Sequence, residues 1–110
     1  MPAFLLWPPL AIYEDVIAHD KTALEDVRLF MMPGVDHCIG GIGASYANFL
    51  TNLDKWVESG KAPEQTAAYW LDEQFQPKGS RMLCAYPKIP KYDGNGDIRD
   101  ASSFSCVVDK

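Results

Sequence analysis

The chain has 110 residues, 47% of them hydrophobic and 23% charged, which allows one domain with a modest core and argues against wholesale disorder. Its net charge is −5, and no basic stripe gathers the ten Lys and Arg, which argues against a nucleic-acid partner. The stretch from Met1 to Pro9 is apolar but short, Pro-rich and without a basic flank, so it reads as neither a signal peptide nor a membrane span.

After Pro9, Leu10, Tyr13, Val16 and Ile17 recur at helical spacing with Glu14 and Asp15 between them, predicting a helix that frays near Asp20 and Lys21. Residues 27–32 are a short apolar run stopped by Pro33-Gly34, the signature of a buried strand. Gly40, Gly41 and Gly43 then predict a flexible turn, with Ser45 as the N-cap of the next helix. In that helix Tyr46, Phe49, Leu50, Leu53, Trp56 and Val57 form one continuous stripe, expected to pack into the core. Gly60 suits its C-terminal end and Pro63 prevents continuation.

Residues 66–71 and 81–85 predict two strands around a polar loop, and the chain from Pro87 onward predicts an irregular tail. Within it, Asp93-Gly94-Asn95-Gly96-Asp97 resembles the opening of a calcium loop. Ile98 stands where the sixth position needs Gly, and Phe104 where the twelfth needs Glu, so the stretch predicts a turn. A helix, a strand, a His-bearing loop and a second helix, in that order, suit the last unit of an α/β sheet.

The cysteines are three: Cys38, Cys84 and Cys106. No CxxC or paired-His spacing points to zinc, and no other metal set is visible. Cys84 and Cys106 bracket the Pro- and Gly-rich stretch, where a bridge would stabilise by about 3 kcal/mol in the chain-entropy treatment. Cys38 is then left over, and on composition alone it reads as a buried free thiol. His37 follows the predicted strand by five residues, on a loop able to aim an imidazole into a crevice. A lone loop histidine is more often plain surface, so its neighbours must decide.

Those neighbours fall into blocks: Arg28-Leu29-Phe30, Pro33-Gly34, His37-Cys38 and Gly40-Gly41; Trp56-Val57-Glu58 with Gly60, Ala62 and Pro63; Leu83-Cys84 with Tyr86-Pro87; and Asp100-Ala101 with Phe104 and Cys106. In this order and spacing, from about residue 9 to residue 107, the chain resembles the C-terminal portion of the tannase/feruloyl esterase family. The resemblance implies that His37 is the catalytic histidine. It implies that Cys38 bridges to a cysteine outside this chain, the one preceding the nucleophilic serine, and that Cys84 and Cys106 form a C-terminal structural disulfide. It also implies a secreted enzyme acting on phenolic-acid esters, with no cofactor in this chain. The structural calcium of full-length members would sit in a lid whose ligands are not among these residues.

The remaining catalytic groups are not visible here. There is no Cys-Ser pair and no G-x-S-x-G; Gly43-Ala44-Ser45-Tyr46-Ala47 lacks the final Gly. The triad acid would fall at or before residues 1–4, which hold no carboxylate, and Asp36 adjoins His37 too closely to serve. A Cys38–His37 thiol pair fails for the same reason of adjacency. The expected fold is therefore α/β: residues 1–110 as a single C-terminal fragment of an α/β-hydrolase catalytic domain, with strand, loop, helix and a disulfide-stapled irregular tail. The expected function is that of a serine-type carboxylic ester hydrolase, inactive as this chain alone. The alternative is a non-catalytic remnant or binding chain.

Overall fold

A computed structural model describes residues 7–37 and 40–108, with Trp7 and Pro8 placed by their backbone. The outside-chain partnership expected of Cys38, and residues 1–4 where the triad acid would fall, lie outside the described residues.

Helix α1 spans Trp7–His19, with Pro8 and Pro9 in its first turn, where a missing N–H costs no intrahelical bond. Asp20 ends it and begins a 3-10 helix, Lys21–Glu25, by accepting from the Thr22 N–H and hydroxyl at 3.0 and 2.7 Å. Residues 27–32 run half-buried, but they are not the strand that their apolar run predicts. Only Phe30 makes a β-bridge, antiparallel to Ala85, beside a Tyr86 N–H to Leu29 carbonyl bond of 2.8 Å. A buried strand needs a neighbour along its length, and no parallel neighbour stands among the described residues.

Strand β1, Tyr46–Ala47, displaces the expected helix start. Its two residues pair with Tyr69 and Ala68, which holds them extended, so Ser45 cannot cap a helix. The cap is Asn48, whose side chain accepts from the Thr51 N–H at 3.0 Å, and α2 runs Phe49–Ser59. Gly60 closes it, donating its N–H to the Trp56 carbonyl at 2.8 Å. The apolar stripe is only half used. Asn52 and Trp56 are half-buried, whereas Leu50, Leu53 and Val57 are 79%, 53% and 76% exposed.

Strands β2 (Gln65–Leu71) and β3 (Pro77–Cys84) form an antiparallel pair from Gln65↔Cys84 to Leu71↔Pro77, giving the order β1-β2-β3. One small core lies on this sheet: Ala44, Ala68 and Leu83, backed by Phe30, Met32, Ala47 and Trp70. A second gathers Met82, Cys84 and Ala101, with Ala67, Phe104 and Cys106 against them.

The tail is more regular than its prolines and glycines suggest. Strand β4 (Lys88–Tyr92) pairs antiparallel with β5 (Phe104–Val108) over five residues, with Pro90 opposite Cys106. A short 3-10 turn, Ala101–Ser103, precedes β5, and Asp100 caps it. The disulfide Cys84–Cys106, with Cα atoms 5.6 Å apart, ties this ribbon to the end of β3. The ladder and the bridge together order a stretch whose composition alone predicts a loop.

Candidate functional site

His37 lies on a loop that enters from the half-buried segment 27–32 and returns into β1. Val35 and Gly41 make an antiparallel bridge. The Asp36 N–H donates to the Gly40 carbonyl at 3.0 Å, and the Gly43 N–H to the Gly34 carbonyl at 2.8 Å. The two arms therefore form a narrow neck, with exposed His37 beyond it.

Glycine is what allows the neck to close. A Cβ on Gly41 would lie 2.3 Å from the Gly34 carbonyl oxygen, and one on Gly43 would lie 2.1 Å from that of Pro33. Any side chain there must push the arms apart. The turn expected to be flexible is thus tied by two backbone hydrogen bonds between its arms. Val35 and Ala44, 6% and 2% exposed, seat its base, Ala44 against Ala68 and Leu83.

The outer arm has a further tie, to the sheet. The indole N–H of Trp70 donates to the Ile42 carbonyl at 3.0 Å. Trp70 enters the sequence reading only as part of a strand, and Arg99 and Gly79, which adjoin it, do not enter at all. A half-buried indole needs an acceptor for its single donor, and that is the signal available for Trp70. Arg99 carries none until its position over the ring is known.

Ser45 is half-buried between Ala44 and β1. Four of the six serine hydroxyls are committed to structural bonds: Ser59 accepts from the Lys61 N–H and Ser80 from the Ala101 N–H, while Ser102 donates to Asp100 and Ser105 to Asp93. The carboxylates have similar work. Asp72 accepts from the Gln74 and Gln76 amides, and Asp97 from that of Arg99. In the turn at 93–97, Gly94 and Gly96 both have positive φ. Asp20 is held below the ordinary carboxylate value by the Thr22 hydroxyl and then its amide, and Asp100 by the Ser102 amide and then its hydroxyl.

Of the sequence-predicted groups, then, Cys84 and Cys106 are joined, His37 stands beyond the neck, and Asp36 contributes its backbone N–H to that neck. Among the described residues no three His, Cys, Asp or Glu side chains converge as metal ligands. None of their helices is long and apolar enough to cross a membrane.

Comparison with known proteins places these features in a larger body. The profile of the family described as tannase and feruloyl esterase matches residues 9–107. Mono(2-hydroxyethyl) terephthalate hydrolase of Piscinibacter sakaiensis is 40% identical over 98 residues, which cover 87% of this chain and 16% of that protein. A probable feruloyl esterase of Arthroderma benhamiae is 44% identical over 85 residues, covering 74% of this chain and 16% of the relative. Among solved structures, feruloyl esterase B from Aspergillus oryzae superposes with a TM-score of 0.75 at 26% identity, over 90% of this chain and 23% of its own. The chain thus spans about one-sixth of the length of the two hydrolases it matches in sequence and contains a mixed helix and sheet segment of the solved esterase fold.

Proposed function

Because the chain belongs to the tannase and feruloyl esterase family, we propose that it supplies the histidine-bearing, C-terminal segment of an α/β-hydrolase catalytic domain that cleaves esters of phenolic acids. The observation that carries this reading is the family match over residues 9–107, with His37 beyond a tied and glycine-closed neck. A general base must be both reachable and held in place, and this loop suits both needs. His37 takes the proton of a serine hydroxyl as that oxygen attacks the ester carbonyl. It then returns the proton to the departing alkoxide, and the same cycle with water releases the acid.

The serine, the oxyanion donors and the triad carboxylate come from residues outside this segment. Cys38 bridges to the cysteine beside that serine, and the enzyme is secreted. The calcium belongs to a lid outside these residues and is assigned no ligand here. By themselves the 110 residues turn over no ester, because an imidazole without an oriented nucleophile or oxyanion donors provides only weak general-base catalysis.

The test is a fusion in which residues 9–107 replace the matching segment of the Piscinibacter hydrolase. Methyl ferulate or mono(2-hydroxyethyl) terephthalate should be hydrolysed by the fusion, and His37→Ala should lower kcat by at least about a thousandfold. A folded fusion whose turnover survives His37→Ala would remove His37 from the chemistry. It would then favour the non-catalytic reading of the segment.

A further inference from the structure

We propose that Trp70, held by Arg99, is a positioning residue that fixes the His37 loop from its outer side. The inference rests on His37 as the general base of the proposed esterase. The neck bonds close the two arms of the loop on each other, but they do not fix the loop to the sheet. Trp70 does so on the outer arm, through its indole N–H on the Ile42 carbonyl at 3.0 Å. Ile42 is 92% exposed, so side-chain packing contributes little to holding that residue.

The indole is itself held on its other side. The Arg99 guanidinium carbon stands 5.0 Å from the ring centroid, within range of a cation–π contact. Arg99 is placed there by its backbone: the Ser80 N–H donates to the Arg99 carbonyl at 2.8 Å, and the Arg99 N–H donates to Asp97 at 2.8 Å. Next along the chain but one, the Ala101 N–H donates to the Ser80 hydroxyl at 2.8 Å. Gly79, directly across the ladder from Trp70, leaves the room. A Cβ there would sit 3.2 Å from the Trp70 ring and 3.3 Å from the Arg99 Nε. The clamp therefore runs from β3 through Arg99 and Trp70 to the loop that presents His37.

Trp70→Phe tests it, because the variant removes the donor while keeping an aromatic ring beneath Arg99, and unchanged β2 and β3 ladder amides control for the smaller ring's effect on the core. In the 110-residue chain, hydrogen exchange at the Asp36 and Gly43 amides should accelerate about fivefold, while the ladder amides of β2 and β3 keep their rates. The order parameter of the His37 ring carbon Cε1 should fall. Gly79→Ala, which crowds Arg99 against the ring, should act in the same direction. In the Piscinibacter fusion, Trp70→Phe should lower kcat about tenfold with KM unchanged, as expected when a catalytic group is misplaced rather than lost. Loop and ladder amides accelerating together, or neither changing, would overturn the clamp. So would a fusion whose kcat ignores Trp70→Phe. A loop that loosens as expected, in a fusion whose turnover survives His37→Ala, would keep the clamp and remove the general-base reading of His37.

Discussion

Arg28 lies across Trp56, with its guanidinium carbon 5.8 Å from the indole ring centroid, while its Nη2 meets the Glu64 carboxylate at 3.0 Å. The same side chain donates from Nε to Glu64 at 3.2 Å and from Nη1 to the Leu24 and Val27 carbonyls. One cation thus joins the 3-10 helix, α2 and the entrance to β2. The half-exposed Glu64 weakens the ionic part, so the carbonyl bonds and the stacking should dominate. Arg28→Lys should therefore cost nearly as much as Arg28→Gln, about 1 kcal/mol each in denaturant unfolding. Lys matching the wild type would show that charge alone matters there.

The Cys84–Cys106 bridge closes a separation of 22 residues around the β4–β5 ribbon. Removing it with Cys84→Ser and Cys106→Ser together should lower stability by about 3 kcal/mol, chiefly by releasing the unfolded chain. Unfolding of the double variant under the same buffer measures this directly. Non-reducing peptide mapping should recover the linked pair from the wild type, and a Cys38 link to either partner would contradict it.

The outward side of α2 makes a different claim. Leu50 and Val57 are 79% and 76% exposed on a helix whose opposite side carries Asn52, which donates to the Thr66 hydroxyl at 2.8 Å. Leu50→Ser with Val57→Ser should change stability by less than about 0.5 kcal/mol for each site, since neither substitution removes core packing. Binding of a hydrophobic dye and light scattering at high concentration should both fall. A large loss of stability would mean that these side chains are packed.

Acid should loosen two capped turns. Asp100 and Asp20 have folded values held below the ordinary 3.8 by the amide and hydroxyl bonds they accept. Their contribution is therefore complete above 3.8 and is lost as pH falls through the lower folded values. Asp100→Ala should lower stability at neutral pH, and the gap to the wild type should close well below 3.8. A gap that is constant with pH would show that the carboxylate charge plays no part in the cap.

The local code was readable wherever one residue's own chemistry decided the outcome. Gly60 ends α2, the turn at 93–97 is present, and the strand read at residues 66–71 is β2, whereas the one read at 81–85 begins earlier, at Pro77, and ends at Cys84. Ser45 misled because a cap depends on what precedes it, and the pairing of Tyr46 with Tyr69 is a long-range event with no local signal. Residues 27–32 misled in the opposite sense: their apolar composition records burial, while strand formation needs a neighbour that these residues do not bring. At the candidate site, the blocks around His37 single it out in the sequence. Nothing there singles out Trp70 and Arg99, because their meaning lies in an approach between residues 29 positions apart in sequence.

The closed neck beneath His37 also divides the loop into addresses that can and cannot vary. Gly41 and Gly43 face carbonyl oxygens at distances no Cβ can share, whereas Ile42 between them is 92% exposed. A library randomised over these three positions should therefore return folded chains that keep both glycines and accept almost anything at residue 42. Diversity beside the histidine can accumulate at one position without moving the histidine itself, and residue 42 is where an engineer, or natural drift, would reshape the approach to it.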